Sequence, residues 1–199
     1  MIHFEHNAVD NADAILKELG NINYLYSYYH SNKFFDLAHK DQNLYLKCVK
    51  DHVNGKFAYH FMKLAVQDNI DTLPTHTKAL CKHIQSQQFI DTANQIFNKK
   101  VTESKKLNIT KYANGCFLNL HSDDVQNRKI AFIYYFNRNW RPDWGGTLNF
   151  VLDDGIKCYN PEHGSLIMFD IENSLNRHYV TQVSPMIQQS RYAIGGWLQ

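Results

Sequence analysis

Two histidines and one aspartate in the C-terminal half of the chain have the residue types and spacing of a metal site. His121 and Asp123 lie two positions apart, so in an extended strand their side chains would project to the same side. Iron(II) is commonly bound by two histidines and one carboxylate on one triangular face, which leaves the remaining positions open for other ligands. His178, at the start of the apolar segment 178–183, is the best candidate for the third ligand.

The pair of His121 and Asp123 is weak evidence when taken alone. The chain contains 11 histidines, and chance supplies about one such pair in a sequence of this composition. His39-Lys40-Asp41 repeats the pattern and His3-Phe4-Glu5 is similar. We expect both in a helical part of the chain, where residues two apart do not share a face, and we interpret them as surface residues. A single histidine at a strand start, such as His178, is also commonly structural.

Arg191 strengthens the case for a ligand site. It directly precedes the near-continuous apolar segment Tyr192–Leu198. A charge embedded in a β core needs an anionic partner, because an unpaired buried charge is costly. A planar guanidinium can grip a carboxylate with two parallel hydrogen bonds. Two partners stay open at this point: the free carboxylate of 2-oxoglutarate, or one of the acidic side chains of the chain itself.

The composition of the sequence and the spacing of its apolar residues change near residue 107, and this change divides the chain into two parts. Residues 1–106 are rich in Lys, Asn, Gln and Ala, and their apolar residues have helical spacing. The predicted helices, with their start signals, contain residues 12–19 after Asp10, and 80–84 and 89–97 after Thr75 or Thr77. We expect this half to be mainly helical.

From residue 107 onward, short apolar runs alternate with turn signals, which is typical of the strands of a sandwich or barrel. The predicted strands are Leu107–Tyr112, Phe117–His121, Lys129–Asn137, Thr147–Leu152, Ile156–Tyr159, Ser165–Phe169, His178–Val183 and Tyr192–Leu198. Asp153-Asp154-Gly155 predicts a hairpin turn between two of them. Eight strands after a helical layer indicate a curled double-sheet β core braced by helices on one face. We expect residues 1–199 to form a single domain.

Composition and charge exclude several classes of protein. The net charge of +2 gives no electrostatic case for a nucleic-acid partner. The sequence has no apolar run long enough to span a membrane, and its first residues lack the layout of a signal peptide. The four cysteines are scattered without a close pair, which favours reduced thiols and a cytoplasmic location.

The order of chemical motifs between about Tyr112 and Trp197 resembles one family, the prolyl-hydroxylase-like iron(II) and 2-oxoglutarate dependent oxygenases. The matching pieces, in order, are Tyr112, Asn114-Gly115-Cys116-Phe117-Leu118, His121-Ser122-Asp123, Arg128-Lys129-Ile130-Ala131-Phe132-Ile133-Tyr134-Tyr135-Phe136-Asn137, Trp140, Trp144-Gly145-Gly146-Thr147-Leu148, Pro161-Glu162-His163-Gly164-Ser165-Leu166-Ile167-Met168-Phe169, His178, Arg191 and Trp197. The Asp123-Asp124 doublet and Gly195-Gly196-Trp197 resemble the branch that hydroxylates prolines in the protein-synthesis machinery. Ile133-Tyr134-Tyr135 is equally similar to the hypoxia-sensing branch.

The resemblance implies an α+β fold: a double-stranded β-helix (jelly-roll) core over 107–199 with an N-terminal helical layer over 1–106. It implies Fe(2+), 2-oxoglutarate and dioxygen as cofactor and co-substrates, with L-ascorbate as a further candidate. The implied roles are iron ligation by His121, Asp123 and His178, anchoring of the distal 2-oxoglutarate carboxylate by Arg191, a hydrogen bond to it from Tyr135, and lining of the same pocket by Tyr112. Trp197 would pack near the metal or fill the core. Both tyrosines keep the alternative of packing in the core.

The implied activity is hydroxylation of a prolyl residue in a protein or peptide substrate, with the translation machinery as a candidate source. One alternative is the same chemistry on a free amino acid or small metabolite. A more distant alternative is a non-catalytic β-barrel binding module in which both histidines are structural. A zinc hydrolase is disfavoured, because the sequence has no HExxH motif and no clustered cysteine ligands.

Overall fold

A computed structural model of the chain describes residues 1–125, 127–171 and 177–199, and these residues form twelve strands, four α-helices and two short 3₁₀ helices (Ile70–Thr72 and Pro142–Trp144). The strands are β1 (Ile2–Glu5), β2 (Leu25–His30), β3 (Lys33–Leu37), β4 (Tyr59–Ala65), β5 (Ser104–Tyr112), β6 (Phe117–His121), β7 (Ile130–Tyr135), β8 (Leu148–Leu152), β9 (Gly155–Tyr159), β10 (Leu166–Asp170), β11 (Arg177–Val180) and β12 (Arg191–Leu198). The helices are α1 (Ala12–Leu19), α2 (Gln42–Val53), α3 (Thr75–Ile84) and α4 (Gln87–Phe97).

All twelve strands belong to one antiparallel sheet that curls back on itself. The strand order is β1-β10-β7-β12-β5-β4-β6-β11-β8-β9, and β2 pairs with both β3 and β4. Phe150 of β8 and Phe169 of β10 lie far apart in this order, yet their ring centroids are 4.8 Å apart. The two ends of the sheet therefore face each other across an apolar interior, which is the jelly-roll core expected from the sequence.

The helices cover the outer side of the sheet. Helices α1, α3 and α4 share one apolar cluster with outward residues of β5, β7, β10 and β12, among them Ile109, Phe132 and Ile194. Helix α2 packs over β2 and β6 through a smaller cluster that includes Leu44, Tyr28 and Phe117. One face of the curled sheet is thus braced from outside, and the concave face is left for the site.

The eight strands expected after residue 107 are all present, with ends shifted by a few residues. The turn predicted at Asp153-Asp154-Gly155 is a hairpin in which Leu152 pairs with Gly155, and Gly155 has a φ of 136°. The division at residue 107 was less accurate. Residues 1–106 carry the four helices, but they also carry β1–β4, which the sequence pattern did not predict.

Two details of the helical half differ from expectation. Helix α1 begins after Asn11, so Asp10 is not its cap. Helix α3 begins at Thr75, but its start is bound by another helix: the carboxylate of Glu18 accepts hydrogen bonds from the backbone N–H groups of His76 and Thr77, at 3.0 and 2.7 Å. A tertiary contact thus replaces the local cap, and local sequence rules do not foresee it.

The expectation that His3 and Glu5 lie in a helix is wrong, because both belong to β1. Their side chains share a face, with His3 Nε2 3.8 Å from Glu5 Oε2. His39 is exposed, and Asp41 caps α2 by accepting from the backbone N–H of Leu44 at 2.9 Å. Within the described parts of the chain neither pair belongs to a metal-ligand cluster. None of the described helices is long and apolar enough to cross a membrane.

Candidate metal centre and the adjoining arginine pocket

The structure brings together the three residues expected to bind metal. One ligand atom from each of His121, Asp123 and His178 lies within 4.8 Å of the others. The two carboxylate oxygens of Asp123 face one histidine each: Oδ1 is 3.6 Å from His121 Nε2, and Oδ2 is 3.6 Å from His178 Nε2. Two imidazoles and one carboxylate that converge on one point are the donor set of a non-haem iron site.

A β-bulge between β6 and β11 orients the side chain of His121. His178 pairs with His121 and Val180 with Leu118, so three steps on β6 match two steps on β11. This bulge turns His121 inward beside His178, and their ring centroids are 4.3 Å apart. His121 Nδ1 lies 2.8 Å from the backbone carbonyl of Asn119, to which it donates in the tautomer that leaves the Nε2 lone pair free for a metal.

His178 is held in the apolar interior. Its side chain is buried, and its ring lies against Phe150 and Phe169, with centroid distances of 5.6 and 4.9 Å. These two phenylalanines are the pair that closes the curled sheet. The packing of the core therefore fixes the orientation of this imidazole and keeps bulk water away from that side of the site.

Asp123 has a cationic neighbour that the sequence reasoning did not assign. Arg128 Nη1 is 3.8 Å from Asp123 Oδ1, and its guanidinium lies 3.7 Å from the ring centroid of Trp197. Trp197 therefore packs near the metal ligands, which was one of its two expected positions. The buried Nε1 of Trp197 has no hydrogen-bond partner among the described residues. The only signal for Arg128 in the sequence was a basic residue at a strand start, and that signal is unspecific.

Arg191 occupies a buried pocket between two tyrosines. It is only 2% exposed, and its guanidinium carbon lies 4.8 Å from the ring centroid of Tyr112 and 4.9 Å from that of Tyr135. Register explains the arrangement, because Arg191 pairs with Tyr112 on β5, and Ala193, two residues on, pairs with Tyr135 on β7. The structure therefore places Tyr112, Tyr135 and Arg191 together, as expected.

The pocket holds polar atoms that lack a partner within the protein. Neither Arg191 Nε nor the Tyr135 hydroxyl has a hydrogen-bond partner in the part of the chain that the structure describes, and no acidic side chain there forms an ion pair with Arg191. Burial raises the pKa of Tyr135 and of Tyr112, against the opposing effect of the Arg191 charge. Two neutral hydroxyls and one unpaired cation suit a ligand carboxylate. No acidic residue among those that the structure describes supports the alternative of a structural ion pair.

Two glycines allow the backbone to pass close to this pocket. Gly145 and Gly146 have φ values of 72° and 67°. A side chain at Gly145 would overlap the carbonyl oxygen of Gln182, and a Cβ at Gly146 would lie 3.0 Å from Arg191 Cδ. The pair therefore forms a turn in which the backbone passes close to Gln182 and Arg191, an approach that only glycine allows.

A chain of aromatic contacts joins the metal ligands to the arginine pocket. Phe57 lies 5.5 Å from His121, and 6.1 Å from Tyr59, between ring centroids. Tyr59 contacts Phe61 at 4.8 Å, and Phe61 stacks on Tyr112 at 5.0 Å. The two parts of the site thus open onto one aromatic surface of the concave face. The rings of β4 and of the segment before it were not predicted to belong to the site from the sequence.

Comparison with known proteins gives a consistent result for the C-terminal half. Residues 107–199 match the family model described as the 2OG-Fe(II) oxygenase superfamily. Prolyl 3-hydroxylase OGFOD1 of Xenopus laevis is 26% identical over 130 residues, which make up 62% of this chain and 25% of that protein. The chain therefore spans about a quarter of the length of this curated relative.

Two solved structures share the fold at low sequence identity. A Pseudomonas putida prolyl-4-hydroxylase superposes with a TM-score of 0.55 at 18% identity, covering 94% of this chain and 98% of that one. The viral collagen prolyl hydroxylase of Paramecium Bursaria Chlorella virus-1, solved as a 2OG complex, gives a TM-score of 0.58 at 11% identity, covering 99% and 94%. These likenesses show a common jelly-roll fold.

Proposed function

We propose that this chain is an iron(II) and 2-oxoglutarate dependent dioxygenase that hydroxylates a prolyl residue of a protein or peptide, a proposal supported by the match of residues 107–199 to the 2OG-Fe(II) oxygenase superfamily model. In this proposal His121, Asp123 and His178 bind the iron. Arg191 binds the distal carboxylate of 2-oxoglutarate, Tyr135 donates a hydrogen bond to it, and Tyr112 lines the pocket. The observation that carries the proposal is the triad within 4.8 Å, joined through a few aromatic contacts to a buried, unpaired arginine.

The residues present fit both groups. Two imidazole nitrogens and one carboxylate form a donor set that suits a divalent iron. When bound, iron with 2-oxoglutarate and dioxygen supplies the oxidising power for hydroxylation of a C–H bond, with succinate and carbon dioxide as co-products. The residues of the chain itself would orient these groups and limit the access of water to them. Asn119 holds the His121 ring, while Phe150 and Phe169 hold the His178 ring and keep bulk water away from that side of the site.

A protein or peptide substrate is favoured over a free amino acid by the open side of the site. Phe57, which contacts His121, is 37% exposed, so the aromatic surface beside the metal ligands is open to solvent. The similarity to a prolyl 3-hydroxylase supports proline as the target residue. Proline-containing loops of the translation machinery are the first candidates, and the cytoplasm is the proposed location. The proposed location is supported by four free thiols, those of Cys48, Cys81, Cys116 and Cys158, since thiols stay reduced in the cytoplasm.

The proposal is tested by loading the protein with iron(II) under anaerobic conditions and then measuring succinate formation from 2-oxoglutarate in air. We expect His121→Ala to abolish succinate formation and iron binding. His39→Ala is the matched control, because His39 stands in the same His-x-Asp pattern outside the triad. Equal turnover by the two variants would remove His121 from the ligand set. A non-catalytic module would bind no iron and show no change of melting temperature with 2-oxoglutarate.

The substrate is tested separately. The iron-loaded protein is incubated with 2-oxoglutarate and proline-containing peptides of ribosomal proteins and translation factors, and mass spectrometry detects the gain of one oxygen atom. We expect the gain on a proline. A gain on free amino acids with none on any peptide would favour the metabolite alternative.

A further inference from the structure

An aromatic floor extends from the metal ligands to the outer edge of the sheet. We define it as Tyr29, Phe34, Phe57, Tyr59 and Phe61. Tyr29 contacts Phe34 at 4.7 Å, Phe57 at 5.0 Å and Tyr59 at 5.6 Å between ring centroids. Tyr59 contacts Phe61 at 4.8 Å. The five rings are therefore one continuous surface that none of the assigned roles of the site explains.

Strand register shows how far this floor reaches. Phe34 of β3 pairs with Tyr29 of β2, Tyr29 with Tyr59 of β4, and Tyr59 with Leu118 of β6. β6 is the strand that ends at His121. Three strand spacings of about 4.8 Å separate β3 from β6, so Phe34 lies roughly 14 Å across the sheet from the strand of the metal ligand.

Packing of the core does not account for the outer end of the floor. Phe34 is 70% exposed, and it lies on β3, which has no strand on its outer side among the described residues. An exposed aromatic ring on an edge strand is a liability for solubility, which natural edge strands usually avoid with charged side chains. A binding partner that covers the ring of Phe34 would explain why an aromatic residue is exposed at this position.

The size of the floor fits an extended polypeptide. A polyproline II helix rises about 3.1 Å per residue, so roughly 14 Å corresponds to four or five residues. Aromatic grooves bind such segments well because the conformation is largely formed before binding. A free amino acid at the metal centre would not reach Phe34. We infer that the aromatic floor binds a polyproline II segment of the substrate, with a proline or other apolar residue four to five positions from the target proline resting on Phe34 and Tyr29.

This inference rests on the proposed function, because it takes the metal centre as the place where the target proline is held. The probe for the test is unsubstituted oligoproline, which adopts the required conformation by itself. Calorimetry would compare a proline tripeptide with an oligoproline of about nine residues, both added to protein loaded with Mn(II) and 2-oxoglutarate. We expect the longer peptide to bind about tenfold more tightly, since only it reaches the outer rings.

Phe34→Ser should remove that advantage of the longer peptide and leave the affinity for the tripeptide unchanged. Phe34→Trp keeps an aromatic ring and should retain the advantage. Ile156→Ser is the matched control, because Ile156 is 62% exposed on β9, an end strand of the sheet order that is not paired with β2, β3 or β4. Circular dichroism and melting temperature establish that each variant is folded.

Equal affinity for both peptide lengths, no binding of oligoproline, or an unchanged preference in Phe34→Ser would overturn the inference. The proposed function is judged by a different measurement on the same samples. Stabilisation by 2-oxoglutarate and succinate formation without peptide do not depend on the floor. If they are present while the length preference is missing, only the aromatic floor inference fails. If they are missing, the oxygenase proposal itself fails.

Discussion

Replacing Arg191 by methionine should have two effects of opposite sign, and their combination is specific to a ligand-binding role. Arg191 is 2% exposed, and in the described part of the chain its Nε has no acceptor. A buried charge without a counter-ion costs several kcal/mol of stability. The two tyrosine faces at 4.8 and 4.9 Å offset part of that cost, by about 1–2 kcal/mol each. Without 2-oxoglutarate, Arg191→Met should therefore be no less stable than the natural protein.

When 2-oxoglutarate is bound, the natural protein should be more stable than Arg191→Met. A bidentate, charge-assisted contact to a carboxylate contributes about 1.5–3 kcal/mol, which corresponds to a loss of about 10- to 150-fold in affinity for 2-oxoglutarate. Thermal unfolding of the Mn(II)-loaded protein across a range of 2-oxoglutarate concentrations measures both effects in one experiment. Arg141→Met is the control, because Arg141 forms an exposed ion pair with Asp143 at 2.8 Å. An Arg191→Met protein that is strongly destabilised without ligand, and whose 2-oxoglutarate dependence is unaltered, would show that Arg191 is a structural residue.

Other substitutions test the remaining parts of the site and fold. Asp123→Ala should abolish iron binding, measured by metal analysis, together with succinate formation. Tyr135→Phe should raise the apparent KM for 2-oxoglutarate about three- to tenfold through loss of one hydrogen bond of about 0.5–1.5 kcal/mol, and a KM unchanged in succinate assays would count against its role. Burial lowers the pKa of His60 from 6.5 to about 4, so the stability that neutral His60 contributes is complete above about pH 6.5 and falls by about 3 kcal/mol as the pH drops towards 4. Urea unfolding at several pH values should show that His60→Gln loses this part of the pH dependence. Gly145→Ala should cost several kcal/mol in the same urea assay because its Cβ meets backbone, whereas Gly55→Ala, at a φ of 69° with open space around it, should cost about 1 kcal/mol.

The β core was predictable because its signals are local. Alternating apolar residues and turn residues mark each strand after residue 107, and the hairpin at Asp153-Asp154-Gly155 follows from turn chemistry alone. The strands before residue 107 were missed for physical reasons. β1 alternates apolar and polar residues, but its four residues are too few to distinguish a strand from chance. In β2 (Leu25–His30), aromatic residues on both faces obscure the period of two.

The candidate site residues could be selected from the sequence where one residue type breaks a local rule, and the structure brings them together. Arg191 stands at the head of an apolar strand, and His121 and Asp123 share a short segment. The contacts that support these residues could not be predicted from the sequence, because they depend on strand register and long-range packing. The bulge that aims His121 is set by the pairing of β6 with β11, and the approach of Arg128 to Asp123 depends on the position of Trp197.

The unpaired state of Arg191 links the stability of the fold to its chemistry. A protein selected for stability alone would place a methionine or leucine at this buried position, since either packs against Tyr112 and Tyr135 without a desolvation cost. In the proposed role of Arg191, the retained charge lowers stability until a carboxylate binds, which would couple ligand binding to folding: a dicarboxylate that binds only the folded chain should raise the melting temperature. The same coupling predicts discrimination among ligands. A monocarboxylate that reaches only the metal centre leaves the guanidinium unpaired, and it should stabilise the protein much less than 2-oxoglutarate does.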